Sequence, residues 1–142
     1  YALYMPYICT IFSLYIHYIC ALYIRTSPIE SGSKLEISLR TTGTIRGVAQ
    51  STLWTYSQLI RPDGSIYGEG EGVMTTQDGD VIQLKGSGSG QAAAPGDTIN
   101  FRTINFAHTA SVKYADLNSI GLVGHYDVAA DGSTVSKYWE WK

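Results

Sequence analysis

The stretch from Ile66 to Gly90, IYGEGEGVMTTQDGDVIQLKGSGSG, constrains this chain more than any other. Glycine occupies every second position twice, at Gly68, Gly70 and Gly72 and again at Gly86, Gly88 and Gly90. Strand side chains alternate between two faces. Folded as a hairpin about Asp78-Gly79-Asp80, with Gln77 facing Val81, the pattern sets Gly72 opposite Gly86, Gly70 opposite Gly88 and Gly68 opposite Gly90. One face then carries a bare patch of glycine that continues as Ile66, Met74, Ile82 and Leu84, the apolar and inward side. The other carries Tyr67, Glu69, Glu71, Lys85, Ser87 and Ser89, a solvated face with Glu71 diagonal to Lys85.

A strand-interior glycine is worth about 0.5–1 kcal/mol less than alanine. Six of them cost roughly 3–6 kcal/mol, which rivals the net stability of a small domain. Curvature is the expected compensation, since glycine on a concave face permits tight bends and close approach of backbone. Trp54, Tyr56, Trp139 and Trp141 are the aromatics expected to lie over that bare backbone. With Met74, Ile82 and Leu84 they form the expected lining of an interior, filled or holding a ligand.

The rest of the chain agrees with a strand-and-turn protein. Lys34–Thr41 alternates, with Leu35, Ile37 and Leu39 on one face, and Thr42-Gly43 reads as a turn. Thr44–Leu59 reads as one long strand or two, bent near Gly47, with Thr52, Trp54 and Tyr56 sharing a face. Arg61-Pro62-Asp63-Gly64 is a turn. Residues 91–97 read as a loop, and Thr98–His108 alternates β-branched and aromatic with polar residues. Thr109–Ser119 lacks a strand period, and Val112–Leu117 reads as one helical turn or a loop. Ile120–Ala129 and Thr134–Lys142 form a last hairpin about Asp131-Gly132, with Val135, Trp139 and Trp141 on one face and Ser136, Tyr138 and Glu140 on the other. The fold class expected is all-β: an antiparallel meander closed or nearly closed into a barrel of seven to eight strands, with a β-sandwich as the alternative.

The N-terminal 24 residues carry no charged side chain and six tyrosines, and the chain starts with Tyr rather than Met. Residues 1–24 read as spurious translation of upstream DNA or as a membrane anchor followed by Arg25, with a β-rich part of the fold as the remaining option. Residues 25–33 read as a linker, and residues 34–142 as the β-barrel domain. The location expected is cytoplasmic, or membrane-anchored through residues 1–24.

The chemistry-bearing motifs are few. The only cysteines, Cys9 and Cys20, lie in the N-terminal run, so the domain has neither a disulfide nor a thiol nucleophile. A net charge of -2 gives no footprint for nucleic acid. GEGEG and GSGSG lack the following helix and the Lys-Ser/Thr of a phosphate loop. Glu69 and Glu71 fit a solvated face better than a metal pair. His108 and His125 have no third ligand set by spacing, and Asp78-Gly79-Asp80 lacks the later ligands of a calcium loop. No catalytic residue, metal or cofactor is therefore expected.

GTIRG at Gly43–Gly47, RPDGSIYGEGEGV at Arg61–Val73, TTQDGD at Thr75–Asp80, GSGSG at Gly86–Gly90, the Lys113–Leu117–Asn118 segment and the terminal KYWEWK belong together. On these motifs the C-terminal hundred or so residues, from about residue 30, resemble a group of small uncharacterised archaeal and bacterial proteins. The group is similar in pattern to calycin-like and allene-oxide-cyclase-like barrels. The resemblance implies a small antiparallel barrel and no established activity. Three functions are consistent with it: a non-catalytic barrel holding a small apolar or aromatic ligand, a cyclase or isomerase acting on an apolar substrate, and a structural protein with a filled core. A buried Glu, His or Asn beside aromatics would favour the enzyme.

Overall fold

A computed structural model describes residues 11–12, 20–29 and 32–142. The remaining residues of the apolar run 1–24, and of the segment 25–33, lie outside the described residues. Nine strands are described: β1 (Ile11–Phe12), β2 (Cys20–Ile29), β3 (Gly32–Ile45), β4 (Val48–Ile60), β5 (Ile66–Thr76), β6 (Val81–Ala92), β7 (Ile99–His108), β8 (Gly121–Val128) and β9 (Thr134–Trp141). A 3-10 helix at Val112–Ser119 joins β7 to β8. All strands belong to one antiparallel sheet in the order β1-β9-β8-β7-β6-β5-β4-β3-β2. From β3 to β9 the chain is a pure meander, the all-β architecture the turn-rich sequence implies. Among the described residues no helix is long and apolar enough to cross a membrane.

Covalent geometry requires this sheet to curl. Its two ends, β1 and β2, are consecutive in the chain. Eight flat strand spacings would separate them by about 38 Å. Phe12 and Cys20 are eight peptide steps apart, and so many steps reach at most about 28 Å. The side chains tell the same story. Arg46, in the turn between β3 and β4, donates from Nε and Nη2 to Glu140 Oε1 on β9 at 2.8 and 2.6 Å. Tyr56 on β4 meets Tyr126 on β8, hydroxyl to hydroxyl, at 3.5 Å.

Turn chemistry sets the register. Arg46 and Gly47 both have positive φ, 47° and 81°, the two-residue hairpin turn whose twist matches the flanking strands. The reversal expected at Thr42-Gly43 therefore falls four residues later, and Gly43 pairs with Gln50 inside the ladder. Three other hairpins share one device, an Asp-Gly pair ending in glycine with φ between 82° and 89°, at Gly64, Gly79 and Gly132. In the glycine hairpin Gly79 N–H donates to Thr76 O at 3.0 Å and Thr76 N–H to Asp80 O at 2.9 Å. That closure slips the expected register by two residues. Gly72 pairs with Leu84, Gly70 with Gly86, Gly68 with Gly88 and Ile66 with Gly90. A slip of two preserves facing, so all six glycines stay on the inner face, and Glu71 pairs with Lys85 outside.

Of residues 25–33, expected as a linker, Arg25 to Ile29 lie instead in β2 and Gly32 and Ser33 in β3, where Arg25 pairs with Glu36 and Ile29 with Gly32. The ladder begins before Lys34 because Pro28 is tolerated in an edge strand and Gly32 at a strand end.

One end of the barrel is plugged. Ile45, Met74, Ile82, Leu84 and Leu122 pack with Tyr114 and Leu117 of the 3-10 helix, both fully buried. The helix is pinned through Asn118, which accepts from Thr109 N–H at 2.8 Å and donates to Thr109 O at 2.9 Å. Arg46 clasps this end. It makes a two-pronged bond to Asp116 on the helix, at 3.1 and 2.6 Å, besides its bonds to Glu140. Glu140 is only 1% exposed, and Lys142 reaches its other oxygen at 2.9 Å. The hydrogen bond to Asp116, with Glu140 and against the opposing effect of burial, raises the Arg46 pKa; Arg46 in turn holds the Asp116 carboxyl below the ordinary carboxylate range.

Two stability outcomes follow from this packing. A Cβ on Gly70 would collide with the Tyr56 Cβ and the Thr55 carbonyl, neither of which can rotate away. Gly70→Val is expected to lower the melting temperature by roughly 10 °C or to prevent folding, whereas Gly68→Ala, with its nearest atom at 3.3 Å, shifts it by only a few degrees. A Gly70→Val melt matching the parent would show that face to be open. Arg46→Met strips the buried Glu140 carboxylate of its guanidinium partner and leaves it Lys142 alone, at a cost of about 3 kcal/mol or roughly 10 °C in a thermal melt. Because the Asp116 pKa is depressed, its contribution is full above the ordinary aspartate pKa and is lost as pH falls through the depressed value. With the Asp116 side chain 49% exposed, Asp116→Asn should flatten the acid limb of stability by less than about 1 kcal/mol.

Candidate functional site

Inward-facing residues fall into rows that cross the sheet along its hydrogen bonds. One row runs Tyr56, Gly70, Gly86, Asn105, Leu122, Glu140 from β4 to β9. The next runs Gln58, Gly68, Gly88, Thr103, Gly124, Tyr138. In both, glycine sits beside a large or polar neighbour that leans over it. A Cβ on Gly72 would stand 2.8 Å from Trp54 Cδ2, and one on Gly90 2.8 Å from Phe101 Cγ. The Asn105 amide covers Gly86, and the Tyr138 ring covers Gly124. This is aromatic cover of strand glycine, and it leaves a cavity of about 110 Å³ inside the barrel.

The structure sorts the expected lining residues in two. Trp54, Tyr56, Met74, Ile82 and Leu84 all line the cavity, as do Gly68, Gly70, Gly86 and Gly88. Trp139 and Trp141 do not. Trp139 lies on the outer face, edge-on to His125 with ring centroids 5.1 Å apart, and Trp141 is 44% exposed. The alternation of β9 was legible, but its facing is reversed: Ser136, Tyr138 and Glu140 point inward. Indole is the larger hydrophobe, yet the inner position opposite Gly124 takes the ring of Tyr138. Pairing each glycine with its cross-strand neighbour would have found it.

Sequence reasoning also missed Asn105, Thr103, Tyr126, Tyr138 and Ser136, the polar part of the lining. Burial pushes the phenols of Tyr56, Tyr126 and Tyr138 above the ordinary tyrosine value. For Tyr56 the neighbouring Tyr126 adds to the rise. Around Tyr138 the nearby Asn105, Thr103 and Ser136 offset it in part. Thr103 Oγ1 and Ser136 Oγ are nonetheless buried without a partner in hydrogen-bonding geometry, as is Thr41 Oγ1. His125 and His108 are exposed on the outside, and among the described residues no three His, Cys, Asp or Glu side chains converge on a metal-sized space. Glu140 is committed to Arg46 and Lys142.

The fold and its hollow define an antiparallel, barrel-like all-β protein with an apolar interior and a small cluster of uncharged polar groups. No family model matches the chain, and no curated protein matches it in sequence. Solved structures match its fold. A conserved protein of unknown function from Rhodopseudomonas palustris is 18% identical with a TM-score of 0.75, over 93% of this chain and 97% of that one. A protein of unknown function from Clostridium acetobutylicum is 17% identical with a TM-score of 0.79, over 94% and 99%. A protein from Acinetobacter baumannii, described as β-barrel like, is 17% identical with a TM-score of 0.75, over 98% and 99%. At such identities the likeness is one of fold.

The raised phenol pKa values give a spectroscopic outcome. In an alkaline titration followed by ultraviolet absorbance, Tyr56, Tyr126 and Tyr138 should ionise only after the exposed tyrosines of the folded protein. Their contribution to stability is constant below the ordinary tyrosine pKa and is lost as pH rises above it, so their ionisation should coincide with unfolding. Full ionisation of every tyrosine in a single reversible step before unfolding would contradict the placement of these rings.

Proposed function

We propose that this protein is a non-catalytic binding module whose barrel interior holds one small, largely apolar or aromatic molecule. The observation that carries the reading is the cavity itself. It is bounded by Leu39, Met74, Ile82, Leu84 and Phe101, and the glycines keep it from being filled. Its volume of about 110 Å³ is below the roughly 300–1,000 Å³ of sites for drug-sized ligands. It is nearer the engineered cavity of about 150 Å³ that takes up benzene. The occupant is thus of one ring or a short chain. A calycin-like use of the barrel, as the sequence motifs imply, is supported by the barrel-like fold shared with the Acinetobacter protein.

A cyclase or isomerase is the second reading, and Asn105 beside Tyr138 favours it. Phenols held protonated are fixed hydrogen-bond donors that stabilise a developing oxyanion, and a shaped interior promotes reaction by proximity. Binding leads because, among the described residues, the ionisable side chains that face the cavity are phenols held protonated, and none of these is a base poised near pH 7.

Toluene is a direct probe. In the full chain the melting temperature should rise with the logarithm of toluene concentration, and Trp54 emission should change with it. Leu84→Phe, which fills the hollow, should abolish the shift. No shift at saturating toluene would leave a structural protein with a closed core as the better reading.

A further inference from the structure

We infer that the molecule held in this interior is uncharged and carries one oxygen function, a carbonyl or hydroxyl, gripped between Thr103, Ser136 and Tyr138. The inference rests on the interior-binding reading and assigns its chemical class. Thr103 and Ser136 line the cavity beside the Tyr138 hydroxyl, and Thr103 Oγ1 and Ser136 Oγ are both buried without a partner in hydrogen-bonding geometry. Ser136 is only 2% exposed. Buried polar groups are nearly always paired, and an unpaired one is costly. Three residues that line the hollow carry such a group, Thr41, Thr103 and Ser136, and the two that lie together, Thr103 and Ser136, mark a place where something else supplies the partner.

Register brings them together. Ser136 and Tyr138 lie two residues apart on the inner face of β9. Thr103 faces them from β7 across Gly124, which contributes no side chain. Asn105 follows Thr103 on the same face and donates or accepts through its amide. Tyr138, whose phenol stays protonated, is a donor. An oxygen with lone pairs satisfies this set, and a hydroxyl satisfies it twice, once as donor and once as acceptor.

Charge completes the argument. Among the described residues no Lys, Arg, His or Asp lines the cavity. The one carboxylate residue at its border, Glu69, has its side chain turned outward to accept from the Tyr67 hydroxyl at 3.0 Å. A buried ligand charge would have no counterion, and such burial is strongly unfavourable. Acids and amines are therefore excluded, and a small phenol, alcohol or cyclic ketone is the class that fits.

The test compares toluene, phenol, cyclohexanone and benzoate on the full chain and on a Thr103→Val/Ser136→Ala double variant, with dissociation constants from calorimetry. Both substitutions nearly preserve shape and remove only unpartnered hydroxyls, so the ligand-free variant should melt at or above the parent. Expected is a loss of roughly tenfold or more in phenol and cyclohexanone affinity, unchanged toluene affinity and no benzoate binding. Equal effects on toluene and phenol, or benzoate binding as tight as phenol, would overturn this inference while leaving the interior-binding reading intact. A crystal structure in phenol with only water between Thr103 and Ser136 would do the same. Failure of every probe to bind the parent would overturn both.

Discussion

The barrel depends on one steric exchange: on its inner face bulky side chains lean over neighbours that have none. Trp54 covers Gly72, Asn105 covers Gly86 and Tyr138 covers Gly124. Neither half of the arrangement stands alone. The glycines would leave strand interiors weak and bare. The aromatics would have nowhere to lie in so tight a curl. Together they let the sheet bend and let a ring from one strand occupy the space of its neighbour. The small hollow that remains, bordered by residues of every strand from β3 to β9, is where this exchange is incomplete.

The two ends of the barrel solve different problems. At the plugged end an apolar cluster meets a 3-10 helix, and the buried charge of Glu140 is matched by Arg46 and Lys142. Arg46 occupies a backbone conformation in which side chains are uncommon, with φ of 47°. That conformation is demanded by the two-residue turn, and it places the guanidinium where the first and last strands of the meander converge. Toward the other end the inner face carries Gly68, Gly88 and Gly90 with Phe101 and Tyr126. There curvature and space take priority over packing.

Much of this was legible in the sequence because the relevant rules are local. Alternation placed Leu39, Thr52, Trp54, Tyr56, Met74, Ile82 and Leu84 on one inner face, and Asp-Gly pairs marked three hairpins. The two-residue slip of the glycine hairpin came from a hydrogen-bond choice within the turn, between closing on Gln77 and closing on Thr76, which composition does not decide. It altered partners but not faces. The inversion of β9 has another origin. Alternation defines two faces without labelling them, and labelling them by hydrophobicity sent Trp139 and Trp141 inward. The inner position beside Gly124 needed a ring with a polar tip near Asn105 and Thr103, which is tyrosine. Arg25 to Ile29 read as linker because their pairing partner, β3, supplies the order that their own composition lacks.

The Arg46–Glu140 contact joins residues 94 positions apart, in a sheet whose other neighbours from β3 to β9 are also neighbours in the chain. Each hairpin closes a short loop, and loop-closure entropy rises only slowly with length. From β3 to β9 the ladder is thus assembled from local steps, and the clasp then requires the two ends of that ribbon to meet. Contact order is correspondingly divided: low in the strands, high in the clasp. What distinguishes a curled ribbon from a vessel with an inside is a handful of long-range contacts, the Arg46 clasp at one end and the Tyr56–Tyr126 contact across the interior.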